Sequence, residues 1–245
     1  MEIAPGIRRI GTGLVNVYLF AEAGEVTIVD AGAPGYWRDL PAELAAVGAS
    51  LDDVRAVILT HAHSDHVGFA ERIRRERGVG IRVHEDDARL ARGEVKPTRD
   101  PQHGGVGGIH LPLLSFFLYG IRTGMTRIPP IAEVATFGDG ATLDVPGSPR
   151  VIHVPGHSEG SVAFHVAAVD AVFIGDAIAT RNVVTGATGP QLAPFGADYR
   201  EAMRSLDRLD GIEARVVLPG HGEPWTGGVT AALQAARAAS ADLAA

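Results

Sequence analysis

The chain has 245 residues, which fits one large domain or two small ones, and 46% of them are hydrophobic, enough for a sizeable core. It has no cysteine, so disulfides and thiolate ligands are excluded and any metal must be held by histidine or carboxylate. The formal charge of −7 without a basic block argues against a nucleic-acid partner, and no apolar run approaches the ~18–20 residues of a membrane span. The first residues, Met1-Glu2-Ile3-Ala4-Pro5-Gly6, do not read as a signal peptide, so a cytoplasmic location is expected.

Residues 7–10, 15–20 and 26–29 read as short strands joined by glycine turns, the third running into Asp30-Ala31-Gly32. Residues 37–47 carry Leu40, Leu44 and Val47 on one face and predict a helix stopped by Gly48. Residues 54–59 are an apolar β-branched run, a buried strand. It delivers Thr60-His61-Ala62-His63-Ser64-Asp65-His66, after which residues 67–77 predict a second helix. A strand at 81–84 and a short helix at 85–92 follow.

Residues 93–130 fit neither period and are rich in glycine and proline, with an apolar patch from Leu113 to Tyr119. This stretch reads as a partly helical insertion. Its apolar load predicts a substrate lid, with Phe116, Phe117 and Tyr119 (and Tyr199 from further on) as candidate substrate contacts. A homodimer contact is the other use such a patch suggests. Gly104, Gly105, Gly107, Gly108 and Gly120 are candidate hinges. Strands are then expected at 134–137, 141–145, 150–154, 161–167, 171–174 and 214–218, with helices at 199–209 and 229–243. Two clusters of strands, each followed by helices, imply two sheets face to face with helices outside.

Four strand ends carry metal-ligand residue types: His61, His63, Asp65 and His66 on one, then His157, Asp176 and His221. His61 and His63 are two apart and point the same way in an extended segment. Glycine flanks the other three, in Gly156-His157-Ser158, Gly175-Asp176 and Gly220-His221-Gly222. Imidazole and carboxylate suit zinc, iron and similar divalent ions. Seven ligands are too many for one metal and suit two, if one carboxylate bridges. His153 and His165 read as packed strand residues, His84 at a strand end as a support behind the ligands, and His103 and His110 in the insertion as facing substrate or solvent.

These motifs, with Val29-Asp30-Ala31-Gly32 and Pro219-Gly220-His221-Gly222, resemble the metallo-β-lactamase-fold hydrolase superfamily in the family's own order. The resemblance implies an α+β fold, a four-layer αββα sandwich in a single domain over 1–245, with the metals in a cleft at one edge. It implies that His61, His63 and His157 bind a first metal, that Asp65, His66 and His221 bind a second, and that Asp176 bridges them. Asp30 would hold the ligand turn in place. The cofactors implied are two divalent ions, zinc first, with iron or manganese as alternatives. Such a pair shares a water and yields hydroxide at neutral pH, and Asp65 would orient it and pass a proton to the leaving group.

Departures from the family narrow the reaction. Without cysteine, the lactamase branch with a cysteine ligand is excluded. Only residues 223–245 follow Gly222, so the helical glutathione-binding domain of glyoxalase II is not expected. The tyrosine that acyl-homoserine lactonases place three residues after the bridging aspartate is Ala179 here. The resulting expectation is a dinuclear hydrolase of a small ester, thioester or lactone. The alternatives are an iron persulfide dioxygenase using His61, His157 and Asp176, and a metal-binding sensor or interaction module without turnover.

Overall fold

The structure is a computed structural model that describes residues 1–100 and 110–241. Seven strands form the first sheet in chain order: β1 (Glu2–Ala4), β2 (Ile7–Gly11), β3 (Asn16–Glu22), β4 (Glu25–Val29), β5 (Val54–Ile58), β6 (Gly80–His84) and β7 (Ala135–Phe137). The first four pair antiparallel and β4 to β7 pair parallel. The chain then runs through β8 (Arg150–His153), β9 (Val162–Val166) and β10 (Ala171–Gly175). A short hairpin of β11 (Ala179–Arg181) and β12 (Thr188–Gln191) follows, and then β13 (Val216–Pro219). β13 pairs parallel with β10, giving a second sheet of order β13-β10-β9-β8.

The helices are α1 (Leu40–Ala45), α2 (Ala70–Arg77), α3 (Ala88–Ala91), α4 (Leu111–Thr123), α5 (Tyr199–Ser205) and α6 (Val229–Ala239). Successive side chains of a strand face opposite ways, and β5 with the residue after it shows the consequence. Ala56 and Ile58 enter the core between the sheets, whereas Val57 and Leu59 enter the core under α1, α2 and α4. A strand buried on both faces must be apolar throughout, which is why this one reads as an unbroken run. On the second sheet, Val172, Ile174 and Val217 pack against α5 and α6, while Phe173 and Leu218 face the first sheet. These are the four layers α, β, β, α expected from the sequence. Full burial of each large core side chain, such as Phe164 or Phe173, contributes about 1.5–3 kcal/mol.

Several boundaries differ from the sequence expectation, each for a local reason. The helix expected over 37–47 is a 3-10 turn (Pro34–Arg38) followed by α1, because Pro41 is tolerated only in a helix's first turn. The helix expected over 67–77 begins at Ala70. The preceding backbone is committed elsewhere: Ala31 N–H donates to His66 O, Gly68 N–H to Gly32 O, and Phe69 N–H to Ala31 O. Gly68 is needed there, since a Cβ would lie 2.2 Å from Gly32 O. The strand expected at 141–145 does not form. It is reduced to one antiparallel bridge from Thr142 to Arg150, with Val151 N–H donating to Ala141 O and Leu143 N–H to Pro149 O, while Val145 N–H turns back to Leu143 O; the Leu143 and Val145 side chains still fill the space between the sheets. β1, β11 and β12 were not expected. The insertion is partly helical, as expected, with one 13-residue helix, α4, among the described residues. Of the hinges proposed for it, Gly104, Gly105, Gly107 and Gly108 lie outside the described residues, as does His103, and Gly120 lies inside α4. No helix of the described residues is long and apolar enough to cross a membrane.

Candidate metal centre

The parallel strands of both sheets end at the same edge of the sandwich, and their ends carry the polar residues. Asp30 follows β4, His61 to His66 follow β5, His157 follows β8, Asp176 follows β10 and His221 follows β13. The carboxyl ends of strands are where an α/β layer leaves room for a site.

All seven expected ligands converge. His61, His63 and His157 place ligand atoms within 4.8 Å of one another, as do Asp65, His66 and His221. Asp176 stands between the groups. Its Oδ2 lies 3.3 Å from His157 Nε2 and 3.0 Å from His221 Nε2, and its Oδ1 lies 3.6 Å from His66 Nε2. His63 Nδ1 is 2.9 Å from His157 Nε2, and Asp65 Oδ2 is 3.4 Å from His221 Nε2. His61 Nε2, His66 Nε2 and Asp176 Oδ1 are buried without a hydrogen-bond partner. Buried polar atoms left unpaired are costly, and a divalent cation satisfies this set of nitrogen and carboxylate donors. The residues present therefore fit the metal that the motif implies.

The opposite side of three of the rings is held by the protein, whereas His157 Nδ1 is buried without a partner. Asp30 has a positive φ of 62°, a conformation aspartate tolerates better than most residues, and this turns its carboxylate back over the ligand loop. It accepts from Thr60 N–H at 2.7 Å, from Thr60 Oγ1 at 2.9 Å and from His66 Nδ1–H at 2.9 Å. With Thr60 donating to Asp30, its hydroxyl oxygen is left to accept from His61 Nδ1–H at 3.1 Å. His221 Nδ1–H donates to Leu14 O. In His61, His66 and His221 these bonds fix the tautomer that turns Nε2 toward the site.

The electrostatics of the cluster follow from burial and its two carboxylates. Burial pushes His61 well below the ordinary histidine value, with His66, His63 and His157 adding to the shift. Burial likewise pushes His157 down to about 3 against the pull of Asp176. Burial also opposes charge on His66, but Asp176, Asp30 and Asp65 outweigh it and push the ring up to about 10. His221 is raised in the same way by Asp176 and Asp65. Asp176, although buried, is held well below the carboxylate range by His221, His66 and His157. A cation entering the site therefore competes with protons on His66 and His221, and finds His61 and His157 already neutral.

Some supporting residues carry no motif. Asp87 is buried at the start of α3, where Oδ2 accepts from Ala62 N–H and Ser158 Oγ and Oδ1 accepts from Gly160 N–H, each at 2.8 Å. It joins the His61–His63 segment to the His157 loop. The His221 loop is held from β3, whose Asn16 Nδ2 donates to Pro219 O and Gly222 O while Tyr18 OH donates to Pro219 O. Only the Glu85-Asp86-Asp87 turn after a strand hinted at the first, and nothing local signals the second.

A cavity of about 440 Å³ opens beside the cluster, lined by His63 and Asp65 on one side and by Leu113, Phe116, Phe117 and Ile121 of α4 on the other. The Phe116 ring is 5.9 Å from that of His221. Two tyrosines expected at the substrate do not line this cavity. Tyr119 hydrogen-bonds to Tyr36, tying α4 to the 3-10 turn, and Tyr199 is buried with its hydroxyl under Gly196. His84 and His153 stack with centroids 4.1 Å apart and 14° between planes. Beside Asp86 they form another ligand-type group, but parallel rings keep their in-plane lone pairs from converging on one ion.

The family profile described as the metallo-beta-lactamase superfamily matches residues 10–221. Among curated proteins, the chain is 27% identical over 239 residues to the probable metallo-hydrolase YflN of Bacillus subtilis, covering 92% of this chain and 87% of that protein. It is 24% identical over 209 residues to the atrochrysone carboxyl ACP thioesterase of Aspergillus fumigatus, covering 84% of this chain and 50% of that protein. Among solved structures, the metallo-beta-lactamase family protein TTHA1429 of Thermus thermophilus superposes with a TM-score of 0.68 at 27% identity, over 97% of this chain and 79% of that one. TTHA1623 in a di-iron-bound form gives 0.59 at 25% identity, over 92% and 96%. Matched by the profile from the second strand through the last histidine of the cluster, the chain belongs to the metallo-beta-lactamase superfamily.

Proposed function

We propose that the chain is a dinuclear metal-dependent hydrolase of a small ester, thioester or lactone. The observation that carries this reading is the position of Asp176, within 3.3 Å of a nitrogen of one ligand group and 3.0 Å of a nitrogen of the other. His61, His63 and His157 would hold one ion, Asp65, His66 and His221 the other, and Asp176 both. Bound there, divalent ions lower the pKa of water and polarise an acyl carbonyl. The di-iron form of TTHA1623 supports two ions in such a site and keeps iron beside zinc as a candidate. The thioesterase relative supports an acyl substrate.

The chain's own contribution is positioning and proton transfer. Asp65 and His63 are the two of the seven that are only partly buried, and both face the cavity, so Asp65 meets both water and substrate. Its carboxylate takes a proton from the attacking water, whose oxygen bonds to the acyl carbon. The same carboxyl then gives that proton to the departing oxygen or sulfur. Phe116, Phe117 and Ile121 line the wall on which the acyl group lies, and α4 excludes water from it as a lid. The test is a panel of p-nitrophenyl esters, N-acetylcysteamine thioesters and lactones offered to zinc- and iron-loaded protein. Turnover of one class that stops on chelation and returns with metal is expected. Metal-loaded protein that hydrolyses none of the three classes contradicts the proposal.

A further inference from the structure

The cavity beside the metal cluster holds one cation that the hydrolytic reading leaves unused. Among the described residues, Asp65 and Arg99 are the only charged side chains that line it, and the rest of the wall is dominated by Leu113, Phe116, Phe117, Ile121, Met125 and Phe195. Asp65 belongs to the ligand cluster. No carboxylate pairs with Arg99 among the described residues, in a chain whose formal charge is −7. Most of the other described arginines at the surface have found an acidic neighbour, as Arg72, Arg77, Arg92, Arg204, Arg208 and Arg237 have. Arg99 instead lies over the Phe195 ring, 4.9 Å from its centroid.

That arrangement is held at a cost. Phe195 has a φ of 68°, a left-handed conformation that a bulky side chain adopts only when its surroundings require it. The neighbouring backbone supplies the constraint: Asp100 N–H donates to Gly196 O at 2.8 Å, and the Asp100 carboxylate accepts from Tyr199 N–H at 3.2 Å. The residue after Arg99 is thus tied to the residue after Phe195. Both side chains line one cavity, with the guanidinium carbon held over the aromatic face and no carboxylate among the described residues taking its donors.

We propose that the substrate is an acyl compound whose apolar chain carries a second, anionic group, a carboxylate or phosphate, bound by Arg99. This rests on the reading of the metal cluster as the place where the acyl bond is cut. The chain lies along α4, the carbonyl faces His63 and Asp65, and the anion pairs with the guanidinium across the same cavity. A neutral acyl chain leaves Arg99 without a partner at an apolar wall.

The test compares two thioesters of N-acetylcysteamine: octanoyl, and the suberyl half-thioester, the same chain ending in carboxylate. Metal-loaded wild type is expected to prefer the suberyl compound in kcat/KM. Arg99→Gln should lower that preference about fivefold, the fold-change of a charge pair near the surface, and Arg99→Lys should keep most of it. An equal ratio of the two substrates in wild type and Arg99→Gln overturns the proposal. A second measurement does not depend on turnover. Metal-free protein is titrated with the apolar anion 1-anilinonaphthalene-8-sulfonate, and Arg99→Gln should weaken binding about fivefold on the same basis. Unchanged binding also overturns the proposal. If neither thioester is cut, the comparison is repeated with the matching p-nitrophenyl esters; if these are not cut either, the titration alone decides whether the cavity binds an apolar anion through Arg99.

Discussion

Asp87→Ala tests whether the metal loops are held from outside the ligand set. The wild-type carboxylate is buried and accepts three hydrogen bonds, from Ala62 N–H, Ser158 Oγ and Gly160 N–H. Alanine removes both acceptor oxygens and with them all three bonds. The serine hydroxyl retains Ser161 Oγ as a partner at 2.8 Å, so its loss is small. The two backbone N–H groups have no such substitute, and an orphaned buried donor costs about 1–3 kcal/mol. The sum is about 2–6 kcal/mol, a large share of the roughly 5–15 kcal/mol that holds a typical domain together. Part of that cost falls on the geometry of His61, His63 and His157, because Ala62 lies between the first two and Gly160 closes the loop of the third. Urea denaturation of metal-free protein should show the destabilisation, and competition with a chromophoric chelator should show weakened binding of metal. Residues that orient ligands typically contribute 10–100-fold in metal affinity. Wild-type stability together with wild-type metal affinity in Asp87→Ala would refute the reasoning.

Asp65→Asn keeps the shape and a carbonyl oxygen but loses the basic site, so turnover should fall by about 10²–10⁴ with the urea midpoint unchanged; near wild-type turnover removes Asp65 from the proton path. Gly220→Ala should cost metal, not fold. Its Cβ would lie 2.2 Å from Asp176 Oδ1 and 2.6 Å from His66 Cε1, while its backbone φ is not one that demands glycine. Metal analysis showing full loading of Gly220→Ala counts against the packing described. Replacing residues 111–123 by a short glycine linker should leave metal bound and abolish preference for longer acyl chains in a kinetic series. An unchanged chain-length profile takes α4 out of the substrate wall.

The ligand set was legible because each member follows an apolar strand and sits next to a turn, a pattern that survives without knowing which strands pair. What Asp30 does was legible only through the family resemblance. Its positive φ and its bond to His66 Nδ1 depend on a loop 36 residues away. Asp87 was not legible, since it lies in a stretch that reads only as a short helix and its partners lie 25, 71 and 73 residues away in sequence. Asn16 and Tyr18 were hidden in the same way, as polar residues of a strand whose partners are more than 200 residues away. β12 carries glycine and proline, Thr188-Gly189-Pro190-Gln191, which is permitted only because it is a short edge strand in a two-stranded hairpin. Tyr119 was expected at the substrate on the ground that it lies among exposed apolar residues of α4. Helix rotation places it toward Tyr36, while Phe117 and Ile121 turn to the cavity.

The central claim is that one carboxylate, Asp176, joins two metal sites built from seven side chains, and metal stoichiometry tests it most directly. Elemental analysis of protein purified without added metal, then reconstituted with zinc or iron, should give two ions per chain. His221→Ala should give one, held by His61, His63 and His157, and Asp176→Ala should weaken both. A single ion per wild-type chain that His221→Ala leaves untouched would contradict the dinuclear account, and no retained metal at all would contradict the reading of the cluster as a metal centre.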